Sequence, residues 1–196
     1  MAYKPDMMIY HADCADGFGA AWAAWMKWGD TVEYVPCSYG QEPPEVLGKH
    51  VLIGDFSFKR EVMERIANGA ASIVVLDHHE TAEAELLPWR RYMDKPERFT
   101  MATVSSMIGD LQRGPYLPIC ALFDKNRSGA VMTWEFCHPG VEVPMLLRLI
   151  LPKPVDPLVE AIREASVSDA DDGDASRLRA ALAKRGLKLV EVGDAD

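Results

Sequence analysis

The feature that most limits the fold of this chain is a series of short apolar runs that end abruptly at polar or turn residues. Runs of this kind predict β-strands, and continuous apolar strands are typical of a parallel sheet covered on both faces. Four of them lie at residues 7–10, 31–35, 51–55 and 72–76. Helical patterns at residues 18–28 and 59–67 separate the first strand from the second and the third from the fourth. The order predicts an α/β fold.

The segments after residue 80 extend this pattern. Residues 80–87 predict a helix that Pro88 ends, and residues 117–123 predict a fifth strand. Pro118 suits only the start of a strand or an edge position, because it cannot donate to a ladder. Residues 128–137 predict a helix with Ser128 as its N-cap. We therefore expect a parallel five-stranded sheet with helices on both faces.

Prolines become frequent after residue 138, and they mark a change in organisation. Residues 145–151 predict a short apolar helix. Beyond them, residues 157–166 and 175–185 predict helices around an acidic loop at 169–174, and residues 187–192 predict a strand. We expect one domain over residues 1–150 and a short C-terminal extension over residues 151–196, which is too short for a full second domain that binds substrate.

Composition and charge exclude several classes of protein. The chain has 196 residues, 48% of them hydrophobic, which is enough to bury a core. No apolar run reaches the roughly 20 residues of a membrane span, and the first residues lack a signal-peptide pattern. The cysteines form no CxxC pair and predict reduced thiols, so we expect a cytoplasmic protein. A net charge of −9 argues against an extended interface with duplex DNA.

Histidines and aspartates cluster at the ends of three predicted strands. The clusters are His11 with Asp13 and Asp16, then Asp55, then Asp77 with His78 and His79. Because ligands bind outside the carboxyl ends of parallel strands, we expect the clusters to share one edge of the sheet. Carboxylates crowded in this way repel one another, and a divalent cation removes that repulsion.

The chemistry of these side chains predicts a metal site. Imidazole and carboxylate ligands without a thiolate pair fit Mn²⁺ or a similar six-coordinate ion better than structural zinc, and Mg²⁺ or another divalent cation is also compatible. Two such ions roughly 3.5–4 Å apart can activate water and clamp a phosphoryl group. Asp55 stands alone between the other clusters and is the natural bridging residue. Taken by itself, Asp55 is better explained as a cap or turn residue.

Three motifs, taken in order, resemble the DHH phosphoesterase family. They are the segment from His11 to Gly17, the strand that ends in Asp55, and the triplet Asp77-His78-His79. The segment Phe123 to Ala130 extends the likeness, which covers about residues 7–138 and is nearest to short phage-like and bacterial members. These are related to RecJ-type exonucleases and nanoRNases. The resemblance implies a parallel-sheet domain, two divalent metals that are usually Mn²⁺, and hydrolysis of a phosphoester or phosphoanhydride.

The resemblance also implies roles for single residues. Metal ligands would be His11, Asp16, Asp55 and His78, with Asp55 bridging. His79 would lie beside the substrate phosphate, and Asp77 would orient a histidine. Ser128 and Gly129 open a helix whose amides could meet an anion, with Arg127 and Lys125 next to them.

Two departures from the family pattern concern the ligands. Cys14 stands where the family often has its first Asp, so either Asp13 or Cys14 is a candidate ligand, with Asp13 slightly favoured. The family normally has a further Asp on a later strand or turn, where this chain has Leu151-Pro152-Lys153-Pro154. The candidates to replace that carboxylate are Asp124, Asp156 and Asp169.

The expected function is metal-dependent phosphohydrolase or phosphodiesterase chemistry on a small phosphorylated substrate. A nucleotide, the end of a short oligonucleotide or a cyclic dinucleotide would qualify, and a homodimer could complete the site. One alternative is a non-catalytic nucleotide- or metal-binding module of the same fold. A weaker alternative is a dinucleotide-binding oxidoreductase, because Gly17 and Gly19 match part of that fingerprint while Trp22 replaces its third glycine.

Overall fold

A computed structural model of the chain describes residues 2–91 and 95–150. Its contacts divide the chain into two units, Met1–Pro152 and Lys153–Asp196. The predicted extension over residues 151–196 lies outside the described residues. The elements predicted at 157–166, 169–174, 175–185 and 187–192 therefore lie outside them as well.

Five parallel strands form the sheet, as predicted. They are β1 (Met7–His11), β2 (Glu33–Cys37), β3 (His50–Gly54), β4 (Ser72–Asp77) and β5 (Ile119–Phe123). The strand order is β2-β1-β3-β4-β5, and every neighbouring pair is parallel. The order reverses between β1 and β3, because β2 lies on one side of β1 and the later strands are added on the other. Such a switch point is where open α/β sheets bind ligands.

Helices cover both faces of the sheet, which confirms the predicted α/β architecture. The helices are α1 (Ala15–Trp28), α2 (Arg60–Ala67), α3 (Glu80–Leu86), α4 (Met101–Gln112), α5 (Gly129–Cys137) and α6 (Met145–Arg148). Strand side chains alternate between the faces, as the pleat requires. Ile9 and Ile53 share one core with residues of α2 and α3, whereas Met8 and Leu52 share the other with residues of α1, α4 and α5.

Several predicted boundaries were wrong, each for a local reason. β2 begins two residues later than predicted because Gly29–Thr31 forms a 3-10 turn. It also includes Pro36, which is tolerated because β2 is an edge strand. Helix α1 begins at Ala15 rather than at residue 18, and α6 ends at Arg148 rather than at residue 151. Asp16 therefore lies in the first turn of a helix.

Helix α4 is an element that the sequence pattern did not predict. It begins after Thr100, whose hydroxyl accepts a hydrogen bond from the amide of Thr103. The Thr103 hydroxyl in turn accepts one from the amide of Thr100, so the two threonines form a capping box. A capping box with Thr in place of the usual Glu or Gln is a weak sequence signal.

Two further predictions concern membranes and thiols. Within residues 2–91 and 95–150, every helix is too short or too polar to cross a membrane. Cys14, Cys37, Cys120 and Cys137 are all free. Cys37, Cys120 and Cys137 are buried in the apolar cores, where burial raises the pKa of each thiol.

Candidate metal centre

The three predicted clusters lie at the carboxyl ends of neighbouring strands. His11 is the last residue of β1, Asp55 directly follows β3, and Asp77 is the last residue of β4. In the sheet, β3 lies between β1 and β4. The topology therefore places Asp55 between the other two clusters, at the switch point of the sheet.

Asp55 is completely buried, with 0% of its surface exposed. Its φ of +56° lies in the left-handed region, which non-glycine residues adopt at a cost, although Asp and Asn do so more readily than most. Its amide donates to the carbonyl of Leu76 at 3.0 Å, which ties it to β4. The carboxylate faces three histidines: Oδ1 lies 2.9 Å from Nε2 of His78 and 4.0 Å from Nδ1 of His79, and Oδ2 lies 3.6 Å from Nδ1 of His11. A bridging residue needs this two-sided placement.

Two groups of potential ligands share Asp55. The first group is Asp16, Asp55 and His78, and the second is His11, Asp55 and His79. Within each group the ligand atoms all lie within 4.8 Å of one another. One carboxylate shared by two sets of potential ligands is compatible with a two-metal site.

Unpartnered polar atoms make these residues compatible with a bound cation. Oδ2 of Asp55 and Nδ1 of His11 are buried without a hydrogen-bond partner, as is Oδ2 of Asp77. Buried polar atoms are nearly always paired, so an unpaired set calls for an explanation such as an ion. A cation between Asp55 and His11 would satisfy both atoms. The donors are imidazole nitrogen and carboxylate oxygen, which suits Mn²⁺.

Asp16 is held by the first turn of α5. Its oxygens accept hydrogen bonds from the amides of Gly129 at 3.0 Å and Ala130 at 2.7 Å. Oδ2 of Asp16 also lies 3.2 Å from Nε2 of His78. Burial would raise the pKa of Asp16, but His78 and the two amides together bring it below its usual value. Asp16 is therefore held as a carboxylate, in the state that a metal ligand needs.

The same contacts correct the predicted role of the α5 amides. Ser128 is the N-cap, as predicted, and its hydroxyl accepts from the amide of Val131. The amide of Gly129, predicted to meet a substrate anion, instead meets the carboxylate of Asp16. The anion at the N-terminus of α5 is therefore a side chain of the protein itself. The helix dipole stabilises such a carboxylate as well as it would stabilise a bound anion.

Close packing explains the glycines beside the cluster. A Cβ added to Gly17 would lie 2.1 Å from the carbonyl oxygen of His11, and one added to Gly129 would lie 2.4 Å from Cβ of Asp55. A Cβ at Gly19 would lie 2.8 Å from that of Ala130. Gly17 and Gly19 thus let α1 approach β1 and α5, so their match to the dinucleotide fingerprint has a structural explanation.

Asp77 contacts the ring of His79 and the backbone beside it. Its Oδ1 lies 2.8 Å from Nδ1 of His79 and accepts from the amides of His78 and His79. Burial would lower the pKa of His79, but the Asp77 carboxylate raises it above its ordinary value. The structure also places His79 in the second ligand group, whereas the resemblance assigns it only to the substrate phosphate.

The structure does not bring every candidate ligand into the centre. Asp13 is exposed, and both Asp13 and Cys14 lie outside the two ligand groups. Asp124 also lies outside them, and its carboxylate accepts from Nε of Arg127 at 2.8 Å. Asp156 and Asp169 lie outside the described residues. The expected ligation by Asp13 therefore has no support in this arrangement.

Arg127 keeps one donor without a partner in the segment that follows β5. Its Nε pairs with Asp124 and its Nη1 pairs with Glu135, whereas Nη2 is buried without a partner. The segment follows β5, and the amide of Asp124 donates to the carbonyl of Asp77 at 3.2 Å. Of the residues predicted to bind substrate, Arg127 is thus one that keeps an unused donor near the end of β4.

Tyr39 is a residue of this edge that sequence reasoning missed. Its ring centroid lies 5.1 Å from that of His11 and 6.1 Å from that of His79. The prediction ended β2 at residue 35, four residues too early to bring Tyr39 to the cluster. In the structure Cys37 pairs with His11, so the residues after β2 reach the same edge. Tyr39 could have been predicted from the sequence by expecting β2 to lie beside β1, because the residues after β2 then reach the same edge as His11.

Comparisons with known proteins assign no family. No family model matches the chain, and no solved structure matches it. Over 158 residues the chain is 27% identical to "Uncharacterized protein R106" of Acanthamoeba polyphaga mimivirus, a match that covers 72% of this chain. The match covers 31% of that viral protein, so the chain spans about a third of its length.

The stability of the metal-free protein should depend on the proton of His78. Burial alone would lower the pKa of His78, but hydrogen bonds to Asp16 and Asp55 raise it from 6.5 to about 10. The folded state therefore holds this proton more tightly than the unfolded state. Its stabilisation is complete below pH 6.5 and is lost as the pH rises toward 10.

We therefore expect the melting temperature of metal-free protein to fall between pH 6.5 and 9, and to fall less in His78→Gln. Thermal unfolding in the presence of a chelator measures this. His50→Gln is the control, because His50 lies at the opposite end of β3. An equal fall of melting temperature with pH in the wild type and in His78→Gln would contradict the assignment of the stabilising proton to His78.

Mn²⁺ should bind at one tight and one loose site. The Asp16 group is the better shielded, since the His78 side chain is 9% exposed against 19% for His11 and 27% for His79. Calorimetric titration measures both affinities, and Asp13→Ala should bind like the wild type. Two equally tight sites would reveal a further ligand, with Asp124 the first to substitute.

The affinity should rise with pH, because Mn²⁺ must displace the His78 proton.

Proposed function

We propose that this chain is a metal-dependent phosphoesterase of the DHH type that hydrolyses a small phosphorylated substrate. The observation that carries the proposal is the sharing of Asp55 by two ligand groups at the switch point of a parallel sheet. The unpartnered buried atoms of Asp55 and His11 support it, because they fit a cation. The net charge of −9 supports a small substrate held through cations over a long nucleic acid.

Each residue of the centre has a distinct task in this proposal. Two divalent cations, when bound, supply an activated water and neutralise charge on the phosphate. The residues that would hold them are His11, Asp16, Asp55, His78 and His79. Asp77 fixes the ring of His79 through Nδ1, and the amides of α5 fix the carboxylate of Asp16. Such supporting contacts keep ligands in position before the substrate arrives.

Arg127 supplies the charge that the acidic cluster lacks. Its Nη2 is the free donor, and Asp124 and Glu135 hold the rest of the guanidinium in place. A guanidinium held in this way binds a phosphate oxygen by a charge-assisted hydrogen bond. We assign to Arg127 the orientation of the substrate phosphate.

A panel of phosphoesters tests the proposal. We expect Mn²⁺-dependent hydrolysis of at least one member of a set with a dinucleotide, a cyclic dinucleotide, a mononucleotide and pyrophosphate, and none in the presence of a chelator. His78→Ala should be inactive, whereas Asp13→Ala should retain activity because Asp13 lies outside both ligand groups. Activity that survives chelation, or that His78→Ala retains, would contradict the proposal.

A non-catalytic binding module is the second candidate function. The observation that favours it is the pairing of Asp124 with Arg127. Asp124 lies outside both ligand groups, so within residues 2–91 and 95–150 no candidate replaces the further Asp that the family normally has. The two candidates differ in turnover. Tight binding of Mn²⁺ and nucleotide without hydrolysis of any phosphoester would establish the module.

A further inference from the structure

We propose that Tyr39 stacks against a nucleobase of the substrate. The substrate class would then be a nucleotide or the end of a short oligonucleotide rather than pyrophosphate or another base-free phosphate. This inference rests on the proposed function, because it assigns the part of the substrate that lies next to the reacting phosphate.

The position of Tyr39 carries the inference. The residue follows β2, which is the neighbour of β1 at the edge of the sheet. Its ring contacts the rings of His11 and His79, both members of the second ligand group. A substrate whose phosphate lies at the centre can therefore reach Tyr39 with its adjoining part.

The exposure of Tyr39 is unusual for an aromatic ring with so many partners. The residue is 53% exposed, although its ring also lies 5.0 Å from that of Phe56. Phe56 is 1% exposed and packs edge-on against Phe58 at 4.9 Å. Tyr39 thus rests on a fixed aromatic base and keeps much of its surface open, which is how a stacking platform is built.

Two features at opposite sides of the centre match the two parts of a nucleotide. Arg127, with its free Nη2, follows β5 at one end of the strand order, and Tyr39 follows β2 at the other. The ligand groups come from the ends of β1, β3 and β4, between these two. Charge on one side suits phosphate, and an open aromatic ring on the other suits a base. Stacking on such a ring tolerates any base, because every base has a π-face.

The experiment compares three proteins on two substrates. The proteins are the wild type, Tyr39→Phe and Tyr39→Ala, and the substrates are a dinucleotide and its analogue in which both bases are replaced by hydrogen. Initial rates with Mn²⁺ give kcat and KM, and equilibrium dialysis gives the binding of the intact dinucleotide. Thermal melts check the fold, which Tyr39→Ala should keep because the residue is 53% exposed.

We expect Tyr39→Ala to lose roughly 5- to 150-fold in kcat/KM on the dinucleotide, mostly through KM, as for removal of one base–aromatic stack. Tyr39→Phe should match the wild type, since the ring remains. The base-free analogue should be poor for all three proteins and insensitive to the substitution. The proposed stacking would be overturned if Tyr39→Phe lost as much kcat/KM as Tyr39→Ala, or if Tyr39→Ala lost equal kcat/KM on both substrates.

The outcomes separate this inference from the proposed function. Hydrolysis of both substrates at equal rates by all three proteins would leave the phosphoesterase standing and remove the platform. A wild type without hydrolysis, but with dinucleotide binding that Tyr39→Ala weakens, would leave the platform standing and remove the phosphoesterase. Binding that Tyr39→Ala leaves unchanged would remove the platform whether or not turnover is seen.

Discussion

Asp55→Asn should abolish metal-dependent turnover and leave the fold intact. The amide has the shape of the carboxylate but lacks the charge that two cations would share, so the ions would repel without a common counter-charge. The loss should reach at least the roughly 10²–10³-fold that follows removal of one electrostatic stabiliser. Specific activity with excess Mn²⁺ and the melting temperature measure the two effects.

The backbone and the charge of Asp55 explain why stability should not suffer. Its φ of +56° suits asparagine, which enters the left-handed region more readily than most residues. Burial raises the pKa of the Asp55 carboxyl, and the nearby Asp16 carboxylate raises it further, although His78 opposes both. Removing a charge that its surroundings disfavour should leave the melting temperature unchanged or raise it.

Asp13→Asn is a matched control for this experiment. Asp13 shares the unusual backbone of Asp55, with a φ of +52°, but it is exposed and lies outside both ligand groups. It should keep full activity. If Asp55 served only as a cap, its variant would lose about 1 kcal/mol of stability and keep its activity per folded molecule. That result would remove the centre of the two-metal argument.

Gly129→Ala should be strongly destabilising. The added Cβ would lie 2.4 Å from Cβ and 2.7 Å from Cα of Asp55. Backbone cannot rotate away as a flexible side chain can, so α5 must shift and its bonds to Asp16 must lengthen. We expect a loss of about 3 kcal/mol or more in the free energy of unfolding, at the upper end of overpacking effects. Denaturant unfolding of the metal-free protein measures it.

Gly109→Ala is the matched control for the glycine experiment. Gly109 lies within α4, and the nearest atom to an added Cβ is Nη1 of Arg113 at 3.5 Å, the end of a flexible side chain. The substitution should raise the free energy of unfolding by about 0.5–1 kcal/mol, because alanine favours a helix interior. Equal changes in the free energy of unfolding for Gly109→Ala and Gly129→Ala would show that the close approach of Gly129 to Asp55 does not affect stability.

The strand ends were predictable because their signal is local. Three of the apolar runs stop at a residue of the cluster, so the pattern alone places His11, Asp55 and Asp77 at carboxyl ends of parallel strands. The rule that such ends share an edge then brings them together without knowledge of the helices. The fold class could be predicted from the same runs, because strands that are apolar throughout are typical of parallel sheets, whose crossover helices cover both faces.

The remaining features depend on contacts between distant segments. Asp16 meets Gly129 across 113 positions of the chain, and no local pattern reports which anion a helix terminus receives. Asp13 and Asp16 look alike in sequence, and the beginning of α1 at Ala15 separates an exposed residue from a buried one. Tyr39 was missed because its role depends on which strand neighbours β1.

The bonds from α5 to Asp16 extend the candidate centre well beyond the strand ends that supply most of its potential ligands. A chain cut before β5 would keep His11, Asp16, Asp55 and the triplet at residues 77–79, yet Asp16 would lose both amide donors. The smallest transplantable unit therefore runs from β1 through α5. Loop closure over such a separation is slow compared with local helix formation. During folding, the Asp16 carboxylate can reach its final geometry only after β5 and α5 have packed into place.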